Sequence, residues 1–252
     1  MRVLLSHRVF FRMMAALFCC AFAASCNREN APDCFQSAGT QETIQRDLDS
    51  FSSLELNDYI QYELLDTNYY GVLITAPGNL LSDIETTVAD GVLKVQNTNR
   101  CNFVRSFKNK ITVRICAPDF IDIQNYATGD IVTIGSIQGS KFSIENRGAA
   151  GTQRLSLYTD TVNVATHTGV CDAIVEGACT TVYLFNQGLG TIDSRDLVSR
   201  YAYVNNSSLN DVYVYASDYL FGYVQFSGSI YYLGNPTSID TEIEGDGNVG
   251  SY

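Results

Sequence analysis

The sequence predicts an all-β protein and, within that class, a parallel β-solenoid (β-helix) with rungs of about 20 residues. Three observations carry this. Sixteen tyrosines, thirteen phenylalanines and nineteen glycines stand against four prolines and no tryptophan, a composition that suits half-buried strands and tight turns. Apolar residues alternate with polar ones in short runs, and no stretch holds a helical period over a useful length. From Phe120 onward, small aliphatic residues recur every 20 positions.

The first 25 residues stand apart. Arg2, Arg8 and Arg12 precede the uncharged run Met13–Ser25, which ends in small residues, the layout of a secretory signal peptide. That run is shorter than the roughly 20 apolar residues needed to span a bilayer. Ala23-Ala24-Ser25-Cys26 resembles a bacterial lipobox, so Cys26 is the expected lipidation site and the membrane the expected partner through that anchor. Ordinary cleavage after Ala23 is the alternative. Asn27 beside the cysteine favours the outer membrane, by resemblance to known sorting rules, with either a periplasmic or an outward-facing domain. Loss of the leader removes three basic residues and no acidic one. The 16 basic and 27 acidic residues become 13 and 27, a net charge of −14. Such a chain is an unsuitable partner for nucleic acid, whose phosphates need basic neutralisation.

Residues 26–46 read as a polar tether, and residues 47–252 as the folded domain. Export to an oxidising compartment permits disulfides. Cys34 and Cys101 both lie in polar, turn-rich stretches, and a Cys34–Cys101 bridge is favoured over Cys101–Cys116. Cys116, Cys171 and Cys179 read as small buried side chains. No Cys-x-x-Cys spacing occurs, and the mature chain keeps His167 as its sole histidine, so no metal site and no cofactor is expected.

Within the domain the first strands are Leu54–Leu56, Ile60–Leu64 and Val72–Ile74, separated by turn signals such as Ala76-Pro77-Gly78-Asn79. A short helix is expected near Leu80–Thr87, and Ala89-Asp90-Gly91 marks the next turn. Ile111, Val113 and Ile115 alternate with Thr112, Arg114 and Cys116, and Pro118 closes that strand.

The repeat follows. Ile144, Val164, Leu184, Val204 and Val224 fall 20 apart, with Phe142, Val162, Val182, Ala202 and Gly222 two positions earlier. Ile192, Val212 and Tyr232 form a second column, and Gly129, Gly148, Gly169, Gly188, Ser207 and Gly228 mark turns at intervals of 19 to 21. One rung cannot bury its apolar face alone, whereas stacked rungs make a continuous core. Asn146, Asn186 and Asn206 share a phase with Thr166, which suggests an internal amide ladder that pairs buried turn groups. Tyr183, Tyr203 and Tyr223 flank inward residues and are expected to point outward as a row of rings, a candidate binding face for a glycan or another envelope protein.

Catalytic readings find less support. A β-helical polysaccharide lyase or hydrolase is the alternative function, and it needs paired carboxylates. Asp130, Asp172, Asp193 and Asp211 follow rung turns but share no phase of 20, which reads as scattered solvated acids. His167 has no recognisable nucleophile motif beside it, so no catalytic residue is assigned. Asp240, Glu242, Glu244 and Asp246 alternate along one strand face. They read as a charged edge that discourages association, with a calcium site as the sharper alternative.

The closing stretch Tyr231-Tyr232-Leu233-Gly234-Asn235-Pro236, followed by Ile239 to Val249, is similar to that of the putative auto-transporter adhesin, head GIN domain family. Gly78-Asn79-Leu80-Leu81, Asp90-Gly91-Val92-Leu93 and the glycine-punctuated rungs resemble the family too, over roughly residues 48–250. Gly148-Ala149-Ala150-Gly151 and Ser207-Ser208-Leu209-Asn210 stand where the family has Gly-x-Gly turns. The resemblance implies a β-helical envelope protein, often a lipoprotein, of undefined molecular activity; with no catalytic constellation in the residues, a non-catalytic structural or adhesin-like binding role is the expectation.

Overall fold

Stacked parallel strands, closed at one end by an antiparallel cap, make up the computed structural model, which describes residues 38–99 and 110–252. In chain order the strands are β1 (Gln41–Asp47), β2 (Ser53–Leu56), β3 (Gln61–Asp66), β4 (Gly71–Pro77), β5 (Ile84–Ala89), β6 (Val92–Asn97), β7 (Thr112–Ala117), β8 (Asp122–Asn125) and β9 (Ile131–Thr133). There follow β10 (Ile137–Ala149), β11 (Thr152–Gly169), β12 (Asp172–Asn186), β13 (Ile192–Asn206), β14 (Val212–Tyr215), β15 (Tyr219–Val224), β16 (Ile230–Leu233), β17 (Ser238–Ile243) and β18 (Val249–Ser251). Two faces enclose one core. Along the first face lie β7, β3, β9, the leading halves of β11, β12 and β13, then β14, β16 and β18. The second face carries β6, β2, β8, β10 from Lys141 onward, the trailing halves of β11 to β13, β15 and β17. The long strands bend from one face to the other at Asp160, Thr180 and Arg200, which are exposed and fall out of the ladder register.

Alternation explains the core. Ile144, Val164, Leu184 and Val204 stack in register and are buried, as are Phe142, Val162, Val182 and Ala202. The offset is 20 between β11 and β12, 19 where β13 begins and 20 again beyond a bulge, and Ile192 lies level with Val212 at 20. It then shortens, because Tyr201 lies level with Tyr219 and Val212 with Ile230, both offsets of 18. Val224 therefore stacks on Asn206 rather than Val204, and Tyr232 on Val214 rather than Val212. A slip of two residues leaves every side chain on its own side of the strand. Inward residues stay inward, so the constant period misplaces these columns without misassigning their burial.

The amide column forms as expected and is longer. Asn125, Asn146, Thr166, Asn186 and Asn206 are all buried. Asn125 Nδ2 donates to Asn146 Oδ1 (2.8 Å), and Asn146 Nδ2 to Thr166 Oγ1 (3.3 Å). Asn186 and Asn206 instead donate to the carbonyls of Gly190 (3.0 Å) and Asn210 (2.9 Å), closing their turns from within. Rungs meet closely at Gly169, where φ is +109° and a Cβ would lie 2.1 Å from the Ala149 carbonyl oxygen. Only glycine fits there.

The early strands are laid down out of spatial order. β2 and β3 sit between β6 and β8 and between β7 and β9, so the first-made rung becomes an internal one. The chain then folds outward to build the cap. β4 pairs antiparallel with both β1 and β7, and β5 with β6 through the Asp90-Gly91 turn, whose φ values are +51° and +74°. Between β4 and β5, the stretch read as a short helix is a 3₁₀ segment, Gly78–Asp83, that stops where β-branched residues begin to pair with β6. Its Leu80 and Leu81 are buried, Leu81 within the core cluster. β1 lies within the stretch read as a tether: Ile44 packs against the core, and the strand adds to the edge of β4. Polar composition hid it, since β1 is largely exposed and has only a half-buried side to satisfy.

Candidate functional site

The outer surface of the second face carries the aromatic side chains. On β12, β13 and β15 the inward residues Val182, Ala202 and Leu220 alternate with outward ones. Tyr183 stacks on Tyr203 with ring centroids 5.1 Å apart and planes 14° from parallel. The expected third member is displaced. Because of the 18-residue offset, Phe221 lies level with Tyr203, while Tyr223 lies level with Asn205. The row is therefore Tyr183, Tyr203 and Phe221, with Tyr223 beside it on the same face. Tyr201 and Tyr219 form the neighbouring column, and Tyr219 sits 5.7 Å from Tyr203, tilted by 56°. Sequence reasoning missed Tyr201, Tyr219 and Phe221; the signal was the alternation of aromatics with Ala202 and Leu220.

Polar groups frame these rings. Tyr201, Tyr203, Tyr219, Asp218, Thr237 and Ser238 line a shallow open recess. Arg200 makes both Nε (2.9 Å) and Nη2 (2.6 Å) contacts to Asp218 Oδ2. Ser217 and Arg200 donate to the Asp218 carboxylate and hold it below its ordinary range. Tyr219 donates to Asp240 Oδ2 (2.9 Å), and that hydrogen bond to a carboxylate raises the phenol above its usual value. Gln225 Nε2 donates to the Tyr223 hydroxyl (2.9 Å). The recess thus offers flat apolar rings with hydroxyl, carboxylate and amide groups at their edges.

A second aromatic group lies on the first face. The Arg195 guanidinium sits 4.3 Å from the Tyr213 ring and 4.6 Å from that of Tyr252, and its Nε donates to Asp193 (2.8 Å). Tyr213 stacks on Tyr231 at 5.6 Å. Arg195 stands where β13 gains one residue on β12, a bulge that turns it outward. Its charge is already met by Asp193, so this group reads as packing.

The acids expected to be solvated have structural partners. Asp130 accepts the backbone N–H of Thr152 (2.9 Å), Asp172 that of Thr191 (2.8 Å) and Asp211 that of Ser229 (2.8 Å). Each carboxylate ties a turn to the start of the next rung. Glu145 receives Arg147 (2.7 Å) and lies 3.4 Å from His167 Nε2, while the imidazole packs 5.2 Å from Phe185. Cys116, Cys171 and Cys179 are free thiols, the first two buried and the third half-buried. Burial pushes the thiols of Cys171 and Cys179 up to about 12. Cys26, Cys34 and Cys101 lie outside the described residues. Among the described residues no group of three or more His, Cys, Asp or Glu is placed to hold a metal ion, which includes the alternating acids of β17. No described helix is long and apolar enough to cross a membrane.

Comparison with known proteins adds the following. The family model described as putative auto-transporter adhesin, head GIN domain, matches residues 50–236. No curated protein matches the chain. A putative adhesin from Bacteroides fragilis is similar in structure, with a TM-score of 0.79 at 22% identity over 84% of this chain and 97% of that one. A putative adhesin from Parabacteroides distasonis follows, at a TM-score of 0.62 and 15% identity over 85% and 98% of the two chains. A putative lipid binding protein from the same species has a TM-score of 0.56 at 18% identity over 85% and 97%. Identities this low speak for the fold alone.

Proposed function

We propose, on the premise that this chain belongs to the putative auto-transporter adhesin, head GIN domain family, that it is a non-catalytic envelope lipoprotein whose aromatic second face binds a neutral glycan chain. One observation carries the reading. Tyr183, Tyr203 and Phe221 occupy one outward column across successive rungs, with Tyr201 and Tyr219 beside them. Rungs repeat at about 4.8 Å, so these rings form a flat track along the solenoid axis. Sugar rings present apolar C–H faces to such a track and hydroxyls to its rim. Asp218, Asp240 and Gln225 stand there as acceptors and donors. A net charge of −14 disfavours anionic chains. Ring–ring packing alone would stiffen the face without any ligand, so stability does not separate the two roles. Binding does. On a neutral glycan array the protein should retain a ligand that the folded Tyr183→Ser/Tyr203→Ser/Tyr219→Ser variant loses; equal retention by that variant would place binding elsewhere, and an envelope protein captured in place of a glycan would change the ligand class.

Anchoring through Cys26 to the outer membrane completes the proposal. Cys26→Ala should move the protein from the membrane fraction to the soluble one, and unaltered retention would count against lipidation. A Cys34–Cys101 bridge is supported by its flanks. Asn79 N donates to Ala38 O (3.1 Å) and Asn99 Nδ2 to Leu80 O (3.3 Å), so two distant points of the chain meet at neighbouring residues of one 3₁₀ segment. Cys34 and Cys101 are four and two residues away from those points, each residue spanning at most about 3.6 Å.

A further inference from the structure

The last rung is open on its outer side. β17 pairs with β15, all six of its residues are exposed, and no described strand lies along its other edge. Glu244 N donates to Val224 O (2.9 Å), and Val224 is level with Ile243. In a parallel ladder this register turns the backbone groups of Asp240, Glu242 and Glu244 toward β15 and those of Ile239, Thr241 and Ile243 toward the free edge. The side chains of Ile239, Thr241 and Ile243 continue the core columns of Leu220, Gly222 and Val224. Ile239 and Ile243 are nevertheless 39% and 48% exposed. The core therefore ends in solvent.

Charge says what strand would fit. Asp240 and Glu242 project on the outer face of β17, and neither has a cationic partner among the described residues. On the early parallel ladders two acids meet a base directly across the register. Glu55 on β2 is level with Lys94 on β6 (2.8 Å), and Glu63 on β3 with Arg114 on β7 (2.7 Å). We infer that the outer edge of β17 takes a strand from a partner protein whose side chains alternate between apolar and basic. The apolar ones cover Ile239, Thr241 and Ile243, and the basic ones stand opposite Asp240 and Glu242. A second copy meeting the same edge about a two-fold axis would set these acids against their equivalents, and like charges directly opposite are destabilising. Strand addition of this kind draws affinity from main-chain hydrogen bonds and specificity from alternate side chains.

The test uses the purified chain and a fluorescent peptide of alternating lysine and valine, with a scrambled peptide of the same composition as control. Thr241→Pro removes an edge-facing N–H and leaves the β15 ladder and every charge in place. The alternating peptide should bind at least about tenfold more tightly than the scrambled one, and Thr241→Pro should weaken it by about tenfold or more at an unchanged melting temperature. Equal binding of the two peptides, or full binding by folded Thr241→Pro, would reduce the edge to a charged surface and overturn the inference, as would no binding at all. A dimer that Thr241→Pro dissolves would make a second copy the occupant and overturn it too. Should the proline variant not fold, Asp240→Lys/Glu242→Lys decides. It must switch preference to an alternating glutamate–valine peptide, and failure to switch refutes the register.

Discussion

The two ends of the solenoid are built on opposite plans. At the N-terminal end β1, β4 and the β5–β6 hairpin turn antiparallel, and the 3₁₀ segment lays Leu81 against the core and buries Leu80 beside it. Arg46 fastens that lid, donating to the carbonyls of Ile84 (2.7 Å) and Leu81 (3.3 Å) and to Thr86 (3.0 Å). At the C-terminal end the last rung keeps the parallel register of its predecessors and leaves its apolar side chains uncovered. A repeat specifies how rungs stack and contains no instruction for stopping. Ends must be written in non-repeating sequence, and among the described residues the antiparallel cap is such an end. The aromatic face lies beside the open edge, with Phe221 and Tyr223 level with Asp240 and Glu242.

Substitutions at the closed end should cost most. Leu80→Ala removes a fully buried side chain of the lid and should lower stability by about 2–5 kcal/mol, measured by urea unfolding. If the proposed Cys34–Cys101 bridge forms, its loss in Cys34→Ser should follow, at about 2–4 kcal/mol by the same measurement. If the bridge exists, denatured unreduced protein lipidated at Cys26 presents the thiols of Cys116, Cys171 and Cys179 alone to a thiol reagent; reactive Cys34 and Cys101 would rule it out. Before denaturation Cys171 and Cys179 should be silent at pH 8, since burial holds their thiols protonated up to about 12. Arg46→Met keeps the stem and strips the donors from the lid carbonyls, which should cost about 1–3 kcal/mol. Ile239→Ala, at the open end, should change stability by less than about 0.5 kcal/mol. A cost at Ile239 as large as that at Leu80 would erase the distinction between the ends.

What the sequence disclosed follows the same division. Alternation and a near-20 period made the rungs legible from Phe142 to Asn206, because each of those columns has one inward residue type to satisfy. The Asn column was legible for a related reason: an amide buried in a turn has few alternatives, and the phase of Asn146, Asn186 and Asn206 is unbroken. Period-based reading failed where two residues drop out between Val214 and Ser217, since a two-residue change is silent to alternation and moves Tyr223 out of the tyrosine row. It also had no means to place β2 and β3 inside later strands, because pairing order depends on long crossovers that leave no mark on local pattern. The aspartates at 130, 172 and 211 share no phase and stand apart, as expected, while their turn-closing bonds left no mark in the period; the offsets to the N–H groups they accept are 22, 19 and 18 residues, so each serves its own turn.

Residue-resolved hydrogen exchange on the free protein tests the difference between the ends most directly. Amides of Leu93 and Val95, flanked by β2 and β5, should exchange only through large-scale opening. Along β17 protection should alternate, with Asp240, Glu242 and Glu244 slowed by their bonds to β15 and Ile239, Thr241 and Ile243 exchanging as unbonded amides. Uniform protection along β17, matching that of β6, would mean that the outer edge is already covered in the free protein, and would contradict an open C-terminal end.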